Sequence, residues 1–380
     1  MKRILFTHGH LVVDGNREYE DGAILVNGET IEDVFINANH IKKDLGEYEE
    51  ADLEGSIVMP GFFDTHCHGA FGFDFNTASG EELNEVSKEF LKKGTCSFFA
   101  TLLNNEKLTG QLEKLDDADT GGARFLGVHL EGPFLNRKYK GAINGDFILE
   151  PSTEELERML GSSSKIRQMT IAPELEGARE VIKLLNEKDV RVMLGHSDAL
   201  KEDLEGISYD GYTHLFNAGR PFHHREMSLV NVALDDSDKY AEIIADGIHL
   251  DMSVLKLIRK NIRRDRLILI SDSTLLAGTK DGECTFENER CIKNGKECRR
   301  IKDGRLAGSA SFIIDGVKTM WEAGASLTDL LLMSGLNAYR LYGLESRFGT
   351  LEKGKYADMV VLDSDLDLIY TYARGERVDA

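Results

Sequence analysis

The sequence predicts an α/β protein, a (β/α)8 TIM-like barrel with a small β-sandwich domain built from both chain ends. Three observations predict it. Short β-like runs separated by Asp-Gly and Asn-Gly turn signals occupy residues 1–55. Apolar runs then alternate with amphipathic helical segments through residues 56–345, as in βα units around a parallel sheet. Strand-like runs return in residues 346–380, which we therefore expect to rejoin the first sheet.

The predicted barrel contains eight apolar or β-branched runs. These runs are residues 57–68, 95–103, 124–131, 168–172, 190–196, 211–214, 241–245 and 267–272. Helical patterns lie between several of them, at 79–93, 176–188 and 253–263, and another follows the last run at 326–342. The first of these helices has Ser79 as its predicted N-cap and Gly94 directly after it. Eight such units match the repeat of a (β/α)8 barrel.

Composition and charge limit the classes of partner. With 46 basic and 66 acidic side chains, the chain carries a formal charge of −20, which repels nucleic acid and anionic membranes at long range. No apolar run approaches the roughly 20 residues of a membrane span, and residues 1–15 show no secretory signal pattern. We therefore expect a cytoplasmic protein with a small-molecule partner, any phosphate being bound by a local set of arginines or backbone N–H groups.

The five cysteines are an odd number and show no tight paired spacing, which argues against a disulfide framework. Cys284, Cys291 and Cys298 recur every seven residues, a spacing that matches no common zinc module. We interpret this stretch as a β-hairpin whose thiols have no ligand role.

Polar side chains fall at the carboxyl ends of the predicted strands. They are His66 and His68 on the first strand, Glu131 on the third, His196 on the fifth, His214 on the sixth and Asp272 on the eighth. In a parallel barrel these ends converge on one pocket, where imidazoles and a carboxylate form a ligand set for zinc or a similar divalent metal. Because alternate strand residues share a face, His66 and His68 point one way and Cys67 the other.

The chemistry of these residue types suits hydrolysis of an amide. A divalent metal lowers the pKa of a bound water from 15.7 to about 7. A neighbouring carboxylate, for which Asp272 is placed, can take a proton from that water and pass it to the departing amine. Alternative interpretations are a turn-capping role for Asp272, core or helix-capping roles for His196 and His214, and a solvated surface position for Arg225, whose planar fork would otherwise suit a phosphate.

Six segments carry a resemblance to a known family. They read MPGFFDTHCHG (59–69), GVHLEGPF (127–134), LGHSD (194–198), THLFNA (213–218), ADGIH (245–249) and LAGS (306–309). They resemble the motifs of N-acetylglucosamine-6-phosphate deacetylases, within the amidohydrolase superfamily, over nearly the whole chain. Many other amidohydrolases carry a lysine at the end of the fourth strand, and residues 168–172 supply none.

The resemblance implies metal-dependent deacetylation of N-acetylglucosamine 6-phosphate to glucosamine 6-phosphate and acetate, by attack of metal-bound hydroxide on the amide. It implies one or two divalent ions per chain, Zn²⁺ or alternatively Fe²⁺. Glu131, His196 and His214 would hold the principal ion. His66 and His68, with Glu131 as a bridge, would hold a second one.

By the same resemblance, Asp272 is the general acid/base and His249 contacts the sugar or its amide carbonyl. Asn217, the Ala218 backbone and Arg225 would hold the phosphate. The resemblance also implies a homodimer in which Arg225 reaches the neighbouring site.

Two loops depart from the family pattern. Ile143 stands where family members commonly have a histidine, and Arg220 follows Ala218 and Gly219 in a segment where the family more often has methionine after the alanine. Arg220 would add a phosphate contact, or would replace the polar substrate contact that is lost with isoleucine at position 143. The alternatives left open are a related amidohydrolase acting on N-acetylgalactosamine 6-phosphate or an N-acyl amino acid, and a catalytically silent binding relative.

Overall fold

The chain begins in a mixed β-sheet. In the computed structural model, which describes residues 2–41, 44–235, 238–286 and 289–380, this sheet starts with five strands. They are β1 (Arg3–Val12), β2 (Glu18–Asn27), β3 (Thr30–Phe35), β4 (Glu49–Asp52) and β5 (Ile57–Pro60). β1, β2 and β3 pair antiparallel, whereas β4 and β5 run parallel to β1.

The next strand, β6 (Phe62–Cys67), opens a parallel barrel. It is followed by a two-stranded ribbon of β7 (Gly69–Ala70) and β8 (Phe73–Asp74). The other barrel strands are β9 (Thr95–Leu103), β10 (Arg124–Glu131), β11 (Ile166–Ile171), β12 (Arg191–Leu194), β13 (Gly211–Tyr212), β14 (Tyr240–Ile243) and β15 (Leu267–Leu269). The eight strands pair in chain order, and the barrel closes where the Asp272 N–H donates to the His66 carbonyl over 2.9 Å. The predicted barrel is therefore confirmed.

Helices cover the barrel. They are α1 (Gly80–Leu91), α2 (Leu108–Asp116), α3 (Thr153–Leu160), α4 (Ala178–Glu187), α5 (Leu229–Asp235), α6 (Met252–Asn261), α7 (Ile313–Glu322), α8 (Leu327–Leu331) and α9 (Asn337–Leu341). The first begins as predicted, because Ser79 and Glu82 form a reciprocal capping box that satisfies two free backbone N–H groups. Leu83, Val86 and Phe90 lie at helical spacing and are buried on its inner face. No helix among the described residues is long and apolar enough to cross a membrane.

Residues 57–68 form two strands where the sequence predicted one. β5 pairs with β1 of the first sheet, whereas β6 pairs with β9 of the barrel. The chain passes between the sheets at Gly61, where a Cβ atom would lie only 2.2 Å from Cys96 Sγ. Apolar periodicity does not reveal such a crossing, because both halves of the run are buried.

The remaining strands complete the first sheet and add a small one. They are β16 (Gly282–Phe286), β17 (Glu289–Asn294), β18 (Glu297–Arg300), β19 (Met359–Leu362), β20 (Leu368–Ala373) and β21 (Glu376–Asp379). β19 pairs antiparallel with β5, so both chain ends share one eight-stranded sheet, as predicted. The domain bounds 1–55, 56–345 and 346–380 remain a prediction.

The predicted hairpin has three strands, β16 to β18, each with one cysteine. Cys284, Cys291 and Cys298 are free thiols, and the last two are buried. Among the described residues, they are not in the groups whose ligand atoms converge on one point.

Candidate active site

The carboxyl ends of the barrel strands bring the predicted polar residues together. Glu131 is the last residue of β10, and His66 lies in β6 with His68 directly after it. His196 and His214 follow the ends of β12 and β13 by two residues each. All of these side chains are buried.

One cluster of ligand atoms is formed by Glu131, His196 and His214. Glu131 Oε1 lies 3.0 Å from His196 Nε2 and 3.1 Å from His214 Nε2. The two imidazole nitrogens are 3.0 Å apart. This arrangement aims two imidazoles and one carboxylate oxygen at a common point, as a divalent metal with nitrogen and oxygen ligands requires.

A second cluster shares the same carboxylate. His68 Nε2 lies 3.3 Å from Glu131 Oε2, and His66 Nε2 lies 3.3 Å from His68 Nε2. Asp272 Oδ1 is 3.3 Å from both of these nitrogens. Cys67 points away, since its thiol donates to the Phe99 carbonyl, so it does not join the cluster. Glu131 therefore lies between two groups of donor atoms, each able to surround a cation.

The backbone turns sharply just beyond the strands that carry these groups. His196, His214 and Asp272 have φ angles of 49°, 29° and 46°, in the left-handed region that residues other than glycine rarely adopt. Strained backbone of this kind is held by its surroundings and is frequent at functional sites. Here it follows the strand ends from which the three side chains enter the pocket.

The orientation of the imidazoles fits a metal ion. His196 Nδ1 lies 2.8 Å from the Tyr139 carbonyl, which makes Nδ1 the donor and leaves the Nε2 lone pair free for a ligand bond. His68 and His214 have no partner for Nδ1 among the described residues, so their Nε2 atoms make all of their polar contacts, within the cluster. A divalent cation is the group that this donor set suits.

The charges of the cluster lead to the same conclusion. Burial lowers the pKa of His68, but hydrogen bonds to Asp272 and Glu131 outweigh that effect and raise it to about 10. Burial raises the pKa of Asp272, but His66 and His68 outweigh it, so this pKa is lowered and the carboxyl is ionised at neutral pH. Two buried carboxylates thus require positive charge beside them, which a bound divalent cation would also supply.

A cavity of about 170 Å³ opens above the cluster. Its polar lining is His68, Glu131, His196, His214, Asn217, His249 and Asp272. Its apolar lining includes Leu103, Ala142, Ile143, Ala218, Ile244, Phe286 and Leu306. The sequence pointed to Ile143, to Ala218 and, within the LAGS segment, to Leu306, but not to the others. Ile143 therefore faces the space that a substrate would occupy.

His249 is held in this cavity by Asp246, for which the sequence suggested no role. Asp246 Oδ2 lies 2.8 Å from His249 Nδ1, and its other oxygen accepts from the backbone N–H groups of residues 248 and 249. Burial lowers the pKa of His249, but Asp246 outweighs it and raises that pKa. The only sequence signal for Asp246 was its place in the same ADGIH segment.

Asn217 and Ala218 reach the cavity, whereas the two predicted arginines do not line it. Arg220 is bound by two carboxylates, with Nε 2.9 Å from Asp198 and an Nη 2.5 Å from Glu226. Arg225 is exposed, and its guanidinium makes no hydrogen bond or ion pair within the described residues. Among the described residues that line the cavity, none is lysine or arginine.

The barrel, the shared carboxylate and the paired imidazoles are typical of metal-dependent hydrolases, and comparison with known proteins assigns the family. Residues 57–378 match the model of the amidohydrolase family, so the chain belongs to that family and is a hydrolase of carbon–nitrogen bonds. The resemblance seen in the sequence is thereby confirmed.

Particular members of the family are similar over nearly their whole length. The N-acetylglucosamine-6-phosphate deacetylase of Bacillus subtilis (strain 168) is 32% identical over 379 residues, covering 94% of this chain and 95% of the relative. The N-acetylgalactosamine-6-phosphate deacetylase of Escherichia coli O157:H7 is 30% identical over 335 residues, covering 86% of this chain and 88% of the relative.

Solved structures agree with the same fold. N-acetylglucosamine-6-phosphate deacetylase from Pasteurella multocida has a TM-score of 0.90 at 26% identity, with both chains fully covered. A variant of the Mycobacterium smegmatis N-acetyl-D-glucosamine-6-phosphate deacetylase, in complex with N-acetyl-D-glucosamine-6-phosphate, has a TM-score of 0.91 at 26% identity and the same coverage.

Proposed function

We propose that this protein removes the acetyl group from N-acetylglucosamine 6-phosphate, giving glucosamine 6-phosphate and acetate. The observation that carries the proposal is the convergence of Glu131, His196 and His214 beside Asp272 at the base of one cavity. The similarity to deacetylases of that name over almost the full chain supports the choice of substrate. The test is acetate release by the purified protein from this sugar phosphate, with unphosphorylated N-acetylglucosamine for comparison.

Glu131, His196 and His214 would hold the principal ion, and His66 and His68 with Glu131 a second one. We propose Zn²⁺, with Fe²⁺ as the alternative, since imidazole and carboxylate ligands suit both metals. When bound, the metal would polarise the amide carbonyl and lower the pKa of a water.

Asp272 acts as the general acid/base in this proposal. Its carboxylate is ionised and lies in the cavity wall, so it can accept a proton from the water that attacks the amide carbon. The C–N bond then breaks as Asp272 returns that proton to the departing amine nitrogen. His249, oriented by Asp246, presents its remaining ring nitrogen to the amide carbonyl or a sugar hydroxyl.

Asn217 and the backbone of Ala218 are proposed to bind the phosphate, together with arginine. The cavity wall contains no described arginine, and the exposed Arg225 guanidinium has no hydrogen-bond or ion-pair partner among the described residues. We therefore propose a homodimer in which Arg225 completes the neighbouring site. Arg220 is a second candidate, although its contacts with Asp198 and Glu226 compete for its charge.

Replacing Arg225 by alanine should raise KM for the phosphorylated sugar by about 10- to 150-fold, the effect of losing one charge-assisted hydrogen bond of roughly 1.5–3 kcal/mol. The KM for the unphosphorylated sugar should change little. Steady-state kinetics on both sugars measure the difference, with His224→Ala as the matched control on the same exposed loop. An equal loss on both sugars would show that Arg225 has only a structural role.

N-acetylgalactosamine 6-phosphate is the second candidate substrate. It is supported by the similarity to a deacetylase of that name, and Ile143, which replaces a polar residue common in the family, lies in the cavity wall where the sugar would be distinguished. The retained ligand and acid/base side chains argue against a silent binding relative. For location we propose the cytoplasm, because the five cysteines are all free, as is usual in a reducing compartment.

A further inference from the structure

A buried carboxylate that the proposed reaction does not use lies next to the ligand clusters, within the barrel. Glu242 is on β14, and its side chain is completely buried. Its Oε1 accepts hydrogen bonds from the Thr65 hydroxyl at 3.0 Å and the Gln168 amide at 3.2 Å. Its other oxygen, Oε2, has no hydrogen-bond partner among the described residues.

The orientation of Gln168 explains why only one oxygen of Glu242 accepts hydrogen bonds from the described residues. The Tyr342 hydroxyl donates to Gln168 Oε1, so the Gln168 amide nitrogen is directed towards Glu242. Glu242 Oε1 is thereby held by two donors on its own side. Oε2 can therefore accept a hydrogen bond from a donor on the opposite side of the carboxylate.

His66 supplies the facing atom. Its Nδ1 lies 3.9 Å from Glu242 Oε2, is buried, and also has no hydrogen-bond partner among the described residues. Its Nε2 points into the ligand cluster, 3.5 Å from Glu131 Oε1 and 3.3 Å from Asp272 Oδ1. The imidazole of His66 thus lies between Glu242 on one side and the cluster on the other.

Two unpartnered polar atoms that face each other in a dry interior need an explanation, because buried groups of this kind are almost always paired. A hydrogen bond spans 2.7–3.2 Å, so a movement of about 1 Å would form one here. Histidines that bind metals usually donate their second ring N–H to a carboxylate or carbonyl, which fixes the tautomer and the direction of the ring.

We infer that Glu242 is a positioning residue for His66: it accepts the Nδ1–H of that imidazole and so holds Nε2 as a ligand for a second divalent ion. The inference rests on the proposed function, which supplies the metal. Glu242 is not among the described residues that line the cavity. A buried negative charge on Glu242 is costly unless a cation lies nearby, so this carboxylate should favour the metal-loaded protein.

The test compares Zn²⁺ binding by the wild type and by Glu242→Gln, using chelator-treated full-length protein and a competing chelator. Glutamine keeps the volume and loses the charge. The second equivalent of Zn²⁺ should bind about 10- to 100-fold more weakly, as expected when the partner of a ligating histidine is lost. The unfolding temperature of the metal-free variant should be unchanged or higher, because a buried charge has been removed.

Two further variants separate positioning from structure. Thr65→Val removes a hydrogen bond to the other oxygen of Glu242, so it should lower the unfolding temperature of the metal-free protein and leave Zn²⁺ affinity unchanged. Glu242→Asp keeps a carboxylate and should retain part of the affinity that glutamine loses.

Equal Zn²⁺ affinity in Glu242→Gln and the wild type would overturn the inference, as would a wild type that binds only one equivalent. Neither result would contradict the proposed deacetylation, which requires only the ion held by Glu131, His196 and His214. Absence of acetate release from a wild type that binds two equivalents would instead count against the proposed function.

Discussion

Replacing Asp272 by asparagine should lower kcat for deacetylation by at least about 10²-fold, the usual contribution of a positioned proton-transfer group. The amide keeps the shape of the side chain but cannot accept the proton at neutral pH. The principal metal ion should be retained and KM should stay near the wild-type value, because Asp272 lies outside the Glu131, His196 and His214 group. Steady-state acetate release and elemental analysis of the same preparation measure these quantities.

Asp251→Asn is the matched control for that variant. Asp251 caps α6 at the surface, and asparagine is an equally good N-cap, so stability and turnover should both be preserved. Near-native turnover in Asp272→Asn would mean that another group moves the proton.

The second large effect concerns the metal itself. Purified wild-type protein should carry between one and two equivalents of Zn²⁺ or Fe²⁺. The double variant His196→Ala, His214→Ala should not retain stoichiometric metal after dialysis, because two of the three ligands of the principal ion are gone. The loss of affinity should exceed the roughly 10- to 100-fold that follows from losing only a partner of a ligand.

The double variant His10→Ala, His40→Ala controls for the number of histidines. Neither residue belongs to the converging ligand groups, so metal content should match the wild type. Elemental analysis after dialysis reports the content of each protein. Unchanged metal affinity in the His196→Ala, His214→Ala variant would refute the ligand assignment.

Much of the barrel could be predicted from sequence because its strands are apolar runs that end in polar residues. The positions of His66, His68 and Glu131 after such runs predicted their proximity, since strand ends converge in a parallel barrel. The ends of β12 and β13 were predicted less well. The predicted strands extend to His196 and His214. The observed strands end two residues earlier, because the backbone leaves the extended conformation and has left-handed φ angles at these two histidines.

Contacts made between distant loops were outside the reach of sequence periodicity. Arg220 was expected near the phosphate, but its pairing with Asp198 and Glu226 depends on how two loops meet. Glu242 was hidden for a different reason. It lies within a run of apolar strand residues, and only the closed barrel places its Oε2, which has no partner in the described part of the chain, opposite His66.

The most direct test of the proposed function is acetate release by the metal-loaded wild type from N-acetylglucosamine 6-phosphate, N-acetylgalactosamine 6-phosphate and their unphosphorylated forms. We expect N-acetylglucosamine 6-phosphate to have the highest kcat/KM, more than about tenfold above unphosphorylated N-acetylglucosamine, since the phosphate adds at least one charge-assisted hydrogen bond. A preference for the galactosamine epimer would assign the second candidate substrate. Stoichiometric metal without acetate release from either sugar phosphate would contradict the proposed activity.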